Sequence, residues 1–286
     1  MDLSTISKSK EFKSGALYSL FVIVYSICSI LIGFIFLFTL NEENSTYLSF
    51  FSYAVSTLVV YAVYKNNSNE RLINNKFKFA FLLLSILVSV AMLFGFGFIN
   101  LSFASFLESV GVTVSNVSID LSTFQNYILC VATLCFAPAI FEEITFRGIL
   151  LNGVRGNVII GSILSALCFS LYHLSLSQFI YQFIYGFCLS ILVIKSGNLI
   201  FSIIAHFLNN FIIISVEYFN IPLNLFSPII IACGLGLFLL FIFFTLIYKG
   251  KESKNLFNKV KALDFTLGAS VGLAVCVLLM VGVAFG

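Results

Sequence analysis

Nine apolar stretches follow one another along this chain, near residues 16–40, 47–64, 79–99, 125–146, 158–175, 178–195, 198–217, 227–248 and 264–285. About 17 to 25 apolar residues cross the roughly 30 Å hydrocarbon core of a bilayer as a helix. Lipid offers the backbone no hydrogen-bond partners, so each stretch must satisfy its own N–H and C=O groups as a helix. The expected fold is therefore all-α, a polytopic transmembrane helix bundle of about 8–9 spans. It reads as one integral membrane domain over residues 1–286, without a linker or a convincing internal repeat.

Composition excludes the soluble classes. Only 9% of the residues are charged and 60% are hydrophobic, against about 25% charged in an ordinary soluble domain. Lys8, Lys10 and Lys13 before the first stretch imitate a secretory signal. That stretch is too long for one and no small-residue cleavage site follows, so it reads as a retained span. The seven cysteines all fall in apolar stretches with no CxxC pair, which disfavours a disulfide framework or a thiolate metal site. They read as small core hydrophobes.

Lys and Arg fall on alternate connections: before the first span, then in the second-to-third (Lys65 to Lys78), fourth-to-fifth (Arg147, Arg155) and eighth-to-ninth (Lys249 to Lys261), with Lys195 closing the sixth. Positive residues collect on the cytoplasmic side. The pattern predicts a cytoplasmic N-terminus, an odd number of crossings and an external C-terminus. The net charge of +3 is then a cytoplasmic skirt facing anionic lipid, and no nucleic-acid partner is implied. Leu101–Ser122, with Glu108 and Asp120, is more polar and is expected to be an external loop or an interfacial helix. Abundant Ile, Asn, Lys and Phe with no Trp point to an AT-rich bacterial genome and hence a bacterial cell membrane.

Ionisable groups at membrane depth cost roughly 2.5 to 3.5 kcal/mol each, so they are functional candidates by default. They are concentrated here. Glu142 and Glu143 are adjacent in the fourth span with Arg147 following; His173 lies in the fifth, and His206 with Asn209 and Asn210 in the seventh. Glu143 and Arg147, at i and i+4, have the spacing of a helical ion pair. His206 and Asn210 share a face. Pro138 takes the backbone donor from the carbonyl of Leu134 and is expected to kink the helix just before the carboxylates.

A carboxylate with one histidine can deprotonate a water, while a second histidine and an amide can donate to an oxyanion. Glu142, His173 and His206 are equally a ligand set for catalytic Zn2+. Residue identity leaves both mechanisms open, one with a divalent metal and one with none. Taken alone, Glu143 with Arg147 is also readable as an ion pair anchoring a helix end, each histidine as a packing residue, and Asn209 as interhelical glue.

Three segments carry a resemblance. FEEITFR (Phe141–Arg147) matches EExxxR, FSLYH (Phe169–His173) matches FxxxH, and HFLNN (His206–Asn210) matches HxxxN. In this order they resemble the motifs of the CAAX proteases and bacteriocin-processing enzymes, the CPBP family, also called Abi or type II CAAX prenyl endopeptidases. The resemblance covers residues 125–217, the motif-bearing core. It implies an intramembrane endopeptidase, labelled a metalloprotease in much of the family, whose catalytic cavity lies inside the membrane. Glu142 with His173 would activate water, His206 with Asn210 would stabilise the oxyanion, and Glu143 with Arg147 would support Glu142. The implied substrates are membrane-associated proteins or peptides: lipidated CAAX-type chains, peptide pheromones or bacteriocin precursors.

Two other functions compete. A silent membrane scaffold or bacteriocin-immunity protein of the same fold would not need complete motifs, and a transporter or proton relay would be expected to show a repeat. One geometric difficulty also arises. If the fourth and fifth spans form a straight hairpin turning near Asn152, Glu142 and His173 sit about 16 Å apart in depth. The expected remedy is that Gly148–Gly156 runs along the interface or folds back.

Overall fold

The computed structural model describes residues 9–39, 45–67, 76–114, 119–248 and 261–285; Lys8, Arg71, Lys249, Lys251, Lys254 and Lys259 lie outside them. Among the described residues nine helices follow in order: α1 Lys10–Thr39, α2 Ser45–Asn67, α3 Phe79–Ser109, α4 Phe124–Val154, α5 Val158–Tyr172, α6 Phe179–Ser196, α7 Ile200–Tyr218, α8 Pro228–Ile247 and α9 Ala262–Phe285. Seven of them, all but α2 and α5, are long and apolar enough to cross a bilayer. α2 carries many Ser, Thr and Tyr residues, and α5 has only 15 residues. The chain is an all-α polytopic bundle.

Close helix contacts are made where side chains are small, as expected when packing and not water drives association. α3 and α8 cross at Gly95 and Gly234, where a Cβ on Gly95 would come within 2.9 Å of the opposing backbone. α1 and α9 run side by side in the same direction. Ser19 Oγ donates to the Gly268 carbonyl at 2.9 Å and accepts from the Gly272 N–H at 3.1 Å. A parallel first and last helix agrees with an odd number of crossings. α3 and α7 are likewise parallel, joined by Ser85 Oγ to Phe201 O and Ser89 Oγ to Ala205 O, both 2.8 Å. The second bond lands one residue before His206, so this pair sets the depth of that histidine.

α4 is not uniform. Two π-helical segments, Val131–Phe136 and Ile144–Leu150, bracket the α-helical turns Ala137–Glu143 that carry both carboxylates. π segments are rare and recur at functional sites. Pro138 lies at the start of the α-helical piece, so its missing N–H falls where the ladder changes register.

Two expectations need correction. α3 continues as helix through Ser109, so residues 101–109 are neither a loop nor a separate interfacial helix; 115–118 lie outside the described residues. Residues 148–154 neither fold back nor leave the helix, which persists to Val154 before a turn at 155–157. The depth difficulty is relieved differently. Asn157 caps α5, its Oδ1 accepting from the N–H groups of Ile159 (3.1 Å) and Ile160 (3.0 Å). Ser165 Oγ donates to Phe146 O at 3.0 Å across the hairpin. That pairing sets residue 142 level with 169, one helical turn of about 6 Å from His173 instead of about 16 Å.

Candidate active site

The three motifs converge between α4, α5 and α7. Glu143 is fully buried, and its Oε1 accepts from Arg147 Nη1 at 2.7 Å and from His206 Nδ1 at 3.0 Å. Arg147, which the charge count assigned to a cytoplasmic connection, is itself fully buried. A guanidinium inside a bundle needs its charge and its donors met. Besides the Glu143 bond, Nη2 donates to Gly186 O at 3.2 Å on α6, and the guanidinium lies over the Phe169 ring, 4.1 Å from its centroid. Gly186 permits this approach: a Cβ there would meet both Arg147 Nη2 and Phe169 Cδ1 at 3.0 Å.

Glu142 points elsewhere. It is buried, its Oε2 has no hydrogen-bond partner, and that atom faces His206 Nε2 across 4.0 Å. The acceptor on Nδ1 decides the tautomer of His206: a carboxylate only accepts, so Nδ1 carries hydrogen and Nε2 addresses the gap. His173 follows the same logic. Its Nδ1 lies 2.8 Å from the Phe169 carbonyl, which also only accepts, so the neutral ring keeps its lone pair on Nε2. Leu174, directly after His173, has φ 53°, an unfavourable conformation for a bulky residue that turns the chain sharply away from the histidine.

Asn210 Nδ2 donates to Leu134 O at 3.1 Å. That is the carbonyl from which Pro138 removes an α-helical donor, so α7 repairs a defect in α4 four residues before Glu142. One amide proton remains on Asn210. Asn209 serves packing: Tyr181 OH on α6 donates to its Oδ1 at 2.8 Å.

Several participants had no role assigned from the sequence. Phe169, the first residue of the FxxxH motif, is the hub, its ring lying 4.6 Å from His173 and 5.8 Å from His206, both edge to face. Gly186, Leu134 and Tyr181 contribute backbone or second partners, and a backbone carbonyl leaves no signal in residue identity.

Among the described residues no three His, Cys, Asp or Glu side chains converge as ligands. With Nδ1 bonded to Glu143 in His206 and to a carbonyl in His173, each ring presents its Nε2.

Residues 124–212 match the family model of Rce1-like type II CAAX prenyl endopeptidases. About a third of the chain is thus similar to this CAAX protease family, the part that carries all three motifs, and the match supports the resemblance they carry. No curated protein and no solved structure matches the chain. The matched segment runs from the first residue of α4 into α7 and contains all six polar site residues: Glu142, Glu143, Arg147, His173, His206 and Asn210. The family match and the seven candidate spans together support an integral membrane protein of the membrane-protease class.

Proposed function

We propose that this chain is an intramembrane endopeptidase that hydrolyses a peptide bond of a membrane-associated or lipidated protein with a water activated by Glu142. The observation that carries the reading is the gap between Glu142 Oε2, buried and unmatched, and His206 Nε2, 4.0 Å away. An orphaned buried carboxylate costs stability unless something polar occupies the space beside it.

In this reading Glu142, with the free Nε2 of His173, takes the proton of the attacking water. His206, as imidazolium, donates from Nε2 to the oxyanion, its charge compensated by the Glu143 bond at Nδ1. The remaining amide proton of Asn210 is the second donor. The charges balance: two carboxylates against one guanidinium and one imidazolium. Protonated Glu142 then returns its proton to the departing amine, with no covalent intermediate. The N-terminus is cytoplasmic in this reading. Lys78 and Lys195, whose ammonium groups both reach Tyr248, mark the cytoplasmic end of the bundle, where α3 begins and α6 ends.

The test is cleavage of prenylated CAAX peptides and short membrane peptides by the detergent-purified full chain. Wild type is compared with Glu142→Ala and His173→Ala, with and without a chelator. Cleavage by wild type, lost in both variants and indifferent to chelator, is expected. Variants that match wild type would overturn the reading in favour of a scaffold or bacteriocin-immunity role.

A further inference from the structure

Two lysines and a tyrosine meet where α3 begins and α6 and α8 end. Lys78 is the residue before α3, Lys195 lies in the last turn of α6, and Tyr248 directly follows α8. Lys78 Nζ donates to the Tyr248 phenol oxygen at 2.6 Å, and Lys195 Nζ donates to the Tyr248 backbone carbonyl at 3.4 Å. The Tyr248 ring stands edge-on to Phe81 of α3, centroids 4.8 Å apart. That contact explains a ring at position 248 but not a hydroxyl.

The corner is rich in donors and short of anions. Both acceptors that the lysines reach on Tyr248 are neutral, and among the described residues neither lysine has a carboxylate within ion-pair reach. The phenol oxygen accepts from Lys78, and among the described residues its own hydrogen has no acceptor. Two positive charges gathered on one tyrosine favour an anion beside them. The depth says which kind. Membrane-spanning helices begin and end here, and Phe77 and Phe79 beside Lys78, with Leu246 and Ile247 before Tyr248, are exposed in the way of side chains that meet acyl chains. The anion at that level is a lipid phosphate.

We propose that this corner binds the headgroup of one anionic phospholipid. Lys78 and the Tyr248 phenol donate to its phosphate, and Lys195 adds positive charge at the backbone end of the same tyrosine. In the orientation given above this is the cytoplasmic leaflet, where anionic lipids concentrate. A diffuse basic skirt would draw such lipids to any lysine at this end of the bundle; a built site depends on these three residues, one of which carries no charge. The proposal stands apart from the peptidase reading.

The test uses the full chain in phosphatidylcholine vesicles with a trace of spin-labelled phosphatidylglycerol. Electron spin resonance reads how strongly the labelled lipid associates with the protein relative to labelled phosphatidylcholine. Wild type is expected to prefer the anionic lipid. Lys78→Gln is expected to lower that preference about fivefold, and Lys78→Gln with Lys195→Gln to lower it further. Tyr248→Phe is expected to lower it as well, at unchanged charge. Lys65→Gln, in the last turn of α2 at the same end of the bundle, is expected to stay near wild type. Absence of any preference in wild type overturns the proposal. So do equal losses from Lys65→Gln and Lys78→Gln with none from Tyr248→Phe, which assign the attraction to a diffuse skirt. Complete displacement of the label by inorganic phosphate at matched ionic strength overturns it too, by assigning the corner to a soluble phosphate. Lys78 is exposed, so Lys78→Gln and Tyr248→Phe decide the matter if the Lys195 variant does not fold. None of these readouts needs a cleaved peptide, so failure of the peptidase reading leaves the result intact.

Discussion

His206 is held by Glu143, not by Glu142: the Nδ1 to Oε1 distance is 3.0 Å, while Nε2 stands 4.0 Å from the neighbouring carboxylate. The adjacent glutamates therefore have separate employments. Glu143 locks Arg147 and His206 together, and Glu142 is left unmatched beside the imidazole.

Glu143→Gln is expected to destabilise the protein by about 3–5 kcal/mol, because it strands a buried guanidinium. Arg147→Met alone strands the carboxylate and should cost a similar amount. The double variant Glu143→Gln with Arg147→Met should be closer to wild type than either single one. Unfolding in detergent around this double-mutant cycle measures the coupling; strictly additive losses would contradict the described pair.

Asn210→Ala is expected to cost about 1 kcal/mol by freeing the Leu134 carbonyl. Adding Pro138→Ala supplies a backbone N–H and should recover most of that loss. Activity should not return with it, because the second amide proton stays absent. Unfolding midpoints and peptide cleavage, measured on the same two samples, separate the effects.

Gly186→Ala is expected to destabilise by about 1–3 kcal/mol through overpacking, since its Cβ would press on Arg147 and Phe169. Gly236→Ala and Gly282→Ala have nothing within 4 Å of the new carbon. They should be neutral or stabilising by up to about 1 kcal/mol, the helix preference of Ala over Gly. Thermal unfolding of the three variants makes the comparison.

Tyr181→Phe and Asn209→Ala each remove one end of a single interhelical hydrogen bond. Each is expected to cost about 0.6 kcal/mol, the average for such bonds in a membrane bundle. Combining them should cost little more than the larger single loss, as read from a double-mutant cycle in detergent.

Much of this was legible from residues alone. Apolar length marks the helices because a bilayer enforces it, and the i, i+4 spacing of Glu143 and Arg147 anticipates their 2.7 Å bond. The site was legible in its polar members, since charge in lipid is costly wherever it occurs. What stayed hidden depends on backbone register. The π segments of α4 have no residue signature beyond Pro138, and the hairpin turns at 155–157, not at Asn152, because Asn157 caps the next helix. Arg147, paired with Glu143 by its spacing, was also counted among the cytoplasmic charges because a long cationic side chain near a helix end ordinarily reaches water. Here Glu143, Gly186 and Phe169 supply what water would. Leu101–Ser122 read as an external loop or an interfacial helix because polar residues, Glu108 and Asp120 among them, interrupt the apolar run, yet the helix continues through Ser109.

α5 ends at Tyr172 after 15 residues, roughly 22 Å at 1.5 Å per residue, where the hydrocarbon is about 30 Å deep. His173 and the irregular backbone that follows therefore stop short of the far headgroups, in a zone where non-helical chain persists only against protein or water. Where lipid reaches this short helix it is expected to thin to match it. Acyl-chain length then becomes a control on turnover: vesicles of short-chain phospholipid should match the truncated helix and favour the enzyme, and long-chain vesicles should slow it at unchanged composition of the protein.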